Sequence, residues 1–207
     1  FELKYIIFNP KSRNGNNQEI MNNLESIIGE KIDNKISVLD RENYLNIINS
    51  LTEEDTLYIV GGDGTLHYYV NDIDNDDVKY DVYFYAGGTG NDFYADVKKD
   101  SDTKLIKVND YIKDLPTVII NGESRKFING IGFGIDGYCC EKGDELQAKS
   151  DKPVNYTAIA IKGLLFHYKT PKAKVTVDGV TKEYKKVWLA PTMKGRFYGG
   201  GMNVAPE

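Results

Sequence analysis

The first half of the sequence alternates short strand patterns with helical patterns, and this alternation constrains the fold more than any other feature. Compact apolar runs that are typical of buried strands occupy residues 3–8, 36–39, 56–60 and 82–85. Between these runs, apolar residues recur at the spacing of a helix face. Strands that alternate with helices form parallel sheets with crossover helices. We therefore predict a three-layer α/β domain with a parallel sheet over residues 1–115.

The second half has a different pattern. Asn121-Gly122 and Asp178-Gly179 each separate two strand-like runs, and these dipeptides accept the positive φ angles of a tight hairpin turn. A single helical pattern, over residues 154–167, interrupts the strands. Residues 114–116 are a plausible linker. We therefore predict a mostly antiparallel, β-sandwich-like domain over residues 116–207.

Three of the predicted strands in the first domain end in glycine-rich or polar loops, at residues 9–15, 61–65 and 87–92. The carboxyl ends of parallel strands form the ligand-binding edge of an open sheet, so these loops should converge. Glycine lets backbone N–H groups approach phosphate oxygens, and a following helix adds its positive N-terminal end. The spacing is that of neither a P-loop nor a Rossmann fingerprint. The predicted nucleotide-binding residues are Asn9, Lys11, Ser12, Arg13, Gly61, Gly62, Gly64, Thr65, Gly88, Thr89 and Asn91.

Asp63 is the chemically distinctive residue of the second loop, whose other members are glycine or threonine. A carboxylate beside a phosphate is useful if it holds Mg²⁺ or orients an acceptor hydroxyl as a base. Thr65 is placed either to cap the following helix or to bond a phosphate oxygen. We predict that Asp63→Asn lowers turnover by about 100-fold or more. We also expect little effect on stability, because the residue is interpreted as part of a loop tip.

Composition excludes several other classes of function. A net charge of −5 argues against nucleic-acid binding. The two cysteines, Cys139 and Cys140, are adjacent and predict free thiols in a reducing, cytoplasmic compartment. His67 and His167 are far apart, and no Cys/His cluster has zinc-ligand spacing. No apolar run approaches the roughly 20 residues that span a bilayer, so any membrane contact should be peripheral. No sequence feature specifies an oligomeric state.

Several of these motifs together resemble the diacylglycerol kinase catalytic family, which includes bacterial lipid kinases, sphingosine kinases and ceramide kinases. The resemblance lies in Asn9-Pro10, in Gly-Gly-Asp-Gly-Thr at residues 61–65, in Gly-Thr-Gly-Asn-Asp-Phe at residues 88–93 and in the late segment Gly200-Gly201-Met202 with Ala205-Pro206. It implies a nucleotide domain and a β-sandwich-like domain, bound ATP and Mg²⁺, and transfer of the γ-phosphoryl group to a lipid hydroxyl, most readily that of diacylglycerol. In this resemblance Asn9, Gly62, Thr65 and Thr89 would contact nucleotide. Asp63 and Asp92 would be the catalytic residues that organise metal, water or acceptor; the metal ligands themselves are not assigned.

The sequence also departs from the family pattern. Ala86 stands where the family usually has Pro, and Tyr94-Ala95 stands where it usually has Ala-Arg, so a basic contact is missing or moved. In the first loop the basic residue is shifted, to Arg13. The family continues past the position of Glu207 with further acidic segments and a returning strand. We therefore expect an incomplete C-terminus, and we expect the 207-residue segment alone to bind ATP·Mg²⁺ weakly and to show no turnover.

Two other functions remain open from the sequence: an NAD kinase-like kinase of a soluble substrate, and a nucleotide-binding module without turnover. The helical pattern at residues 154–167 is apolar on more than one face, which suits either an acyl-chain groove or a core helix. Asp136 suits either catalysis or a turn. Around the second predicted hairpin, six lysines form either a membrane-docking patch or a solvated strand face. They are Lys169, Lys172, Lys174, Lys182, Lys185 and Lys186.

Overall fold

The structure, a computed structural model, describes residues 2–10, 17–88, 91–98, 103–149, 154 and 156–205. Four of the predicted nucleotide-binding residues lie outside these ranges. They are Lys11, Ser12, Arg13 and Thr89.

A five-stranded sheet forms the centre of the first half, with the order β2-β1-β3-β4-β5. Its strands are β1 (Lys4–Phe8), β2 (Asn34–Ser37), β3 (Thr56–Gly61), β4 (Asp81–Ala86) and β5 (Leu105–Lys107). The first four strands are parallel, which confirms the predicted sheet, whereas β5 runs antiparallel to β4 at one edge. Every residue of β3 is buried, as expected for the middle strand of a sheet that is covered on both faces.

Helices cover both faces of this sheet, as the three-layer prediction requires. They are α1 (Asn17–Ile28), α2 (Arg41–Ser50), α3 (Asp63–Asp72) and α4 (Asp92–Val97), with a short 3-10 helix at Asn75–Asp77. One core cluster joins the sheet to α2, α3 and α4 through Tyr44, Leu66 and Phe93. A second cluster joins the opposite face to α1 through Ile20 and Leu24.

A hairpin follows the sheet, formed by β6 (Thr117–Ile120) and β7 (Glu123–Lys126). The predicted turn is confirmed, because Asn121 and Gly122 both have positive φ angles. Asn71 of α3 fixes the end of β7: its amide Nδ2 donates to the Lys126 carbonyl oxygen at 3.0 Å, and its Oδ1 accepts from the Lys126 N–H at 2.8 Å. The hairpin is therefore attached to the helix that follows the second glycine loop.

The remaining strands are antiparallel, in agreement with the predicted β-sandwich-like region. β8 (Gly130–Gly134) pairs with β11 (Leu189–Met193), and β9 (Ala173–Val177) pairs with β10 (Val180–Tyr184). Two helices lie between β8 and β9. They are α5 (Ile135–Gln147) and α6 (Tyr156–Lys162), and α6 continues into a π-helical turn at Gly163–His167. The helical pattern at residues 154–167 is thus confirmed.

Helix α5 was not predicted, because its sequence contains Gly137 and Gly143 and has a weak apolar periodicity. After β11 the chain forms a last small hairpin of β12 (Phe197–Tyr198) and β13 (Met202–Asn203). In the described part of the chain, none of the helices has the length and apolar composition needed to cross a membrane.

Packing divides the chain into two compact units. The first comprises Phe1–Asn129 together with Lys194–Glu207, and the second comprises Gly130–Met193. The hairpins β6–β7 and β12–β13 therefore both belong to the first unit. The predicted domain limits at residues 115 and 116 stay a prediction.

Candidate functional site

The second and third glycine-rich loops are in direct backbone contact at the carboxyl edge of the sheet. The Gly88 N–H donates to the Gly61 carbonyl oxygen at 2.9 Å. A Cβ atom at Gly88 would lie 2.4 Å from the Gly62 N and Cα atoms, a distance at which backbone atoms would collide. Glycine at position 88 is therefore required for the two loops to meet.

The first loop begins at the same edge. Asn9 is half-buried and directly follows β1, which lies between β2 and β3 in the sheet. The connections from β1 and β3 lead to helices on opposite faces, so the crevice between these strands is the topological switch point at which open α/β sheets bind ligands. The structure thus places Asn9, Gly61, Gly62 and Gly88 along one edge.

Asp63 connects the two helices that follow the glycine loops. It is the first residue of α3, and its Oδ2 accepts hydrogen bonds from the Asp92 N–H at 2.8 Å and from the Asn129 Nδ2 at 3.0 Å. Its Oδ1 accepts from the Phe93 N–H at 3.3 Å. Since the first N–H groups of a helix have no partner within it, the Asp63 carboxylate caps α4 from outside.

The hydrogen bonds of Asp63 limit what else it can do. A carboxylate offers about four acceptor positions, and three are used here. Burial raises the pKa of Asp63, while the Asp92 and Phe93 N–H groups and the Asn129 amide oppose this effect by stabilising the charged form. Asp63 is therefore an organiser of the site with room for one further contact, and it is not the loop-tip group that the sequence suggested.

Asp92 and Asn91 lie at the start of α4. The Asp92 Oδ2 accepts from the Gly200 N–H at 2.9 Å. Asn91 Nδ2 donates to the Gly88 carbonyl oxygen at 2.8 Å, which ties α4 to the third loop. The Asn91 Oδ1 is buried and has no hydrogen-bond partner among the described residues. It is an acceptor that a bound ligand can use.

Thr65 and Gly64 have different surroundings within the first turn of α3. The helix is capped at Gly62 without a side-chain hydrogen bond, so the expectation that Thr65 caps it is wrong. Thr65 is instead buried, with its side chain against Gly61. Gly64 is exposed, and a Cβ atom there would meet no atom of the described residues within 4 Å. Within the described part of the chain, nothing therefore requires glycine at position 64.

A cavity of about 520 Å³ lies between the segment that follows β2, the start of α2 and the second half of α3. We call it the β2–α3 cavity. It is lined by Val38, Leu39, Arg41, His67, Tyr68, Asn71, Asp72 and Arg125. Arg41 is fixed by a fork of two hydrogen bonds to Asp72, at 2.7 and 2.8 Å. Burial, and then the charge of Arg125, lower the pKa of His67, so its imidazole is neutral at pH 7.

Most residues of this cavity carry no clear signal in the sequence. For His67 the sequence indicated only that it is too far from His167 to form a zinc site, and it predicted no role for Arg41 or Arg125. The signal for Arg41 was available, because it follows β2 at the same carboxyl edge as the glycine loops. Arg125 carries no comparable signal, since it reaches the cavity only because Asn71 holds β7 against α3.

The second unit has polar and apolar features of its own. Asp136 is the second residue of α5, its Oδ2 is buried without a partner in the described ranges, and burial raises its pKa. A cleft of about 290 Å³ lies between α5 and the α6 segment. It is lined by Tyr138, Lys142, Glu145, Leu146, Lys149, Ala158, Ile159, Lys162 and His167.

We predict that Asp63→Asn destabilises the first unit, in contrast to the expectation from sequence. The amide group turns one acceptor oxygen into a donor that faces the N–H groups at the start of α4. A buried donor without a partner costs about 1–3 kcal/mol. Urea unfolding should therefore show a lower midpoint. Asp110→Asn is the matched control, because Asp110 is almost fully exposed. Equal midpoints for the two variants would contradict the bridging role of Asp63.

Comparison with known proteins identifies two consecutive regions in the chain. The family model of the diacylglycerol kinase catalytic domain matches residues 4–127. That of the YegS C-terminal NAD kinase beta sandwich-like domain matches residues 129–207.

Individual relatives are more distant. The chain is 24% identical to "Putative lipid kinase YtlR" of Bacillus subtilis (strain 168), over 98% of this chain and 72% of that protein. Two solved structures from Bacillus anthracis str. Sterne, both described as a putative diacylglycerol kinase, share its fold, with TM-scores of 0.60 and 0.62 at 19% and 20% identity. Each alignment covers 97% of this chain, and 69% and 67% of the respective structures. Because the catalytic-domain model alone matches more than half of the residues, this chain belongs to the diacylglycerol kinase catalytic domain family.

Proposed function

We propose that this protein transfers a phosphoryl group from ATP to the hydroxyl of a lipid, most readily diacylglycerol or a related lipid. The observation that carries the proposal is the backbone contact of the two glycine loops at the carboxyl edge of the sheet, beside the start of α3. Family membership supports the reaction class. ATP bound with Mg²⁺ would supply the phosphoryl group and shield its charge.

The first turn of α3 suits the phosphates. The Thr65 N–H already donates to the Gly62 carbonyl oxygen at 3.0 Å. The Asp63 and Gly64 N–H groups before it have no partner within the helix, and they lie at the positive end of the helix dipole. The open space at Gly64 lets an anion approach this backbone closely. Within the described ranges no three His, Cys, Asp or Glu side chains form a metal-binding group. A Mg²⁺ ion here would take most of its ligands from phosphate and water, with Asp92 and the remaining acceptor position of Asp63 as candidate carboxylates.

The β2–α3 cavity suits the nucleoside. His67 and Tyr68 lie one turn along α3 from Gly64, so a nucleotide with its phosphates at Gly64 can extend its base toward them. A neutral imidazole donates one hydrogen bond and accepts another, which fits the mixed donors and acceptors of a base edge. Tyr68 is exposed and offers its ring for stacking.

The second unit provides features that suit a lipid. Leu146 and Ile159 contribute apolar surface to the cleft between α5 and the α6 segment, and Leu164 and Leu165 are exposed nearby in sequence. These side chains can cover an acyl chain. The unpartnered Asp136 Oδ2 can accept a hydrogen bond from a polar lipid head.

The central experiment measures phosphoryl transfer from labelled ATP to diacylglycerol, sphingosine and NAD with the intact protein. We expect a phosphorylated lipid. Product from NAD alone would favour a kinase of a soluble substrate, and no product from any acceptor would favour a binding module.

A pair of glycine variants sharpens this experiment. Gly64→Ala and Gly137→Ala both add a methyl group in the first turn of a helix, where none of the atoms that the structure describes lies within 4 Å. Both should be stabilised by up to about 0.5–1 kcal/mol, since alanine favours a helix over glycine. Only Gly64→Ala should weaken ATP affinity, by about tenfold, which corresponds to about 1.4 kcal/mol. An unchanged ATP affinity in Gly64→Ala would show that the phosphates do not bind at the start of α3.

We further propose that the hairpin of β9 and β10 contacts anionic lipid surfaces. The strand register places Lys182 opposite Val175 on one face, and Lys174 opposite Glu183 on the other. Val177, Val180 and Tyr184 belong to the Lys182 face and are exposed. A lysine near an anionic membrane contributes about 1 kcal/mol.

Co-sedimentation with phosphatidylserine vesicles tests this contact. Lys182→Glu should release the protein from the vesicles more than Lys174→Glu does, because Lys174 already faces a carboxylate. Binding to vesicles of neutral lipid alone, with no dependence on salt, would contradict the proposal.

A further inference from the structure

Two aspartates of α4 bind the segment that returns to the first unit. Asp92 and Asp96 are four residues apart, so they share one face of the helix. The Gly200 N–H donates to the Asp92 Oδ2 at 2.9 Å. Arg196 donates through Nε to the Asp96 Oδ1 and through Nη2 to the Asp96 carbonyl oxygen, both at 2.7 Å.

The second bond of Arg196 has a structural consequence. The last carbonyl groups of a helix have no partner within it, and a cation there also complements the helix dipole. Arg196 therefore satisfies the C-terminal end of α4, while Asp63 satisfies its N-terminal end. A helix of six residues is too short to be stable alone, so its position depends on these two outside partners and on the packing of Phe93 in the core.

The two ends of the segment that carries Arg196 are bonded to each other. The Arg196 carbonyl oxygen accepts from the Val204 and Ala205 N–H groups, next to the open end of the paired strands β12 and β13. The turn between them consists of three glycines at residues 199–201, with φ angles of 62°, 88° and 111°. Because side chains are disfavoured in this region of φ, the turn is specific to glycine and brings its backbone N–H to Asp92.

Asn129 connects this segment to Asp63. Its carbonyl oxygen accepts from the Lys194 and Gly195 N–H groups at 2.8 and 2.9 Å, and its Nδ2 donates to the Asp63 Oδ2 at 3.0 Å. The contacts Asp63–Asn129, Asn129–Gly195 and Arg196–Asp96 thus form a continuous chain around α4.

We propose that Arg196, through Asp96, is a positioning residue that holds the hairpin of β12 and β13 against Asp92 and so fixes the Asp92 carboxylate. The inference rests on the proposed function, in which Asp92 works at the phosphate edge. Arg196 acts through Asp92 and needs no contact with ATP or lipid. Its loss should lower kcat more than it raises the KM for ATP, because the glycine loops at Gly61 and Gly88 are held independently.

The test compares Arg196→Gln with Lys107→Gln in the intact protein. Lys107 forms an ion pair with Asp81 at 2.7 Å and is as exposed as Arg196, with half of its side-chain surface accessible in each case. It is therefore the matched control for the loss of a surface ion pair. Hydrogen exchange over residues 197–203 and the kinetic constants for ATP and lipid are measured for both variants.

Arg196→Gln should speed exchange at residues 197–203 and lower kcat by about tenfold, since small displacements in a phosphoryl-transfer site are costly, with the KM for ATP within about twofold. Arg196→Lys should show a smaller loss of kcat than Arg196→Gln, because lysine keeps the positive charge but cannot reproduce the two hydrogen bonds that the guanidinium group donates to Asp96. Lys107→Gln should change neither quantity. Exchange and kcat equal to those of Lys107→Gln would overturn the inference. The absence of turnover in the unsubstituted protein would instead overturn the proposed function, and the exchange rates would still decide whether Arg196 holds the hairpin.

Discussion

The hydrogen bonds of the Asp63 carboxylate are the interaction on which the site depends. Asp63 begins α3, directly after the second glycine loop, and it holds the first N–H groups of α4, directly after the third. This side chain therefore adds to the backbone contact between Gly88 and Gly61 in holding the two loops together. Since α4 has only six residues, its own hydrogen bonds cannot maintain this geometry, and its ends rely on Asp63 and Arg196.

Two features of this arrangement cost stability and at the same time hold the second and third glycine loops together. Burial raises the pKa of Asp63, which means that the surrounding protein disfavours the charged form that its three donors require. Position 88 is likewise restricted to glycine, because a side chain there would separate two backbone segments that are in contact. Both features keep the second and third glycine loops together at the carboxyl edge of the sheet, where the proposed function places the phosphates.

The sequence predicted the parts of the fold that depend on local patterns. The parallel strands, the two-residue turn at Asn121 and the helix that begins at Tyr156 follow from periodicity and turn chemistry. The second and third glycine loops also meet at one edge of the sheet, as the strand pattern predicted. It could not predict that Asp63 bonds Asn129, or that Gly200 reaches Asp92, because these pairs are separated by 66 and 108 residues and have no local signature. The antiparallel direction of β5 and the lining of the β2–α3 cavity were missed for the same reason.

The most direct test of the account is a titration of the isotope-labelled protein with ATP and Mg²⁺, followed through backbone amide chemical shifts. The account predicts saturable shifts at Gly62, Gly64 and Gly88, with further shifts at His67 and Tyr68 beside the cavity. The N–H groups of Asp92 and Phe93 should remain protected from exchange throughout, because Asp63 holds them in both states. Saturable shifts confined to residues 130–193, or none at the glycine loops, would contradict it.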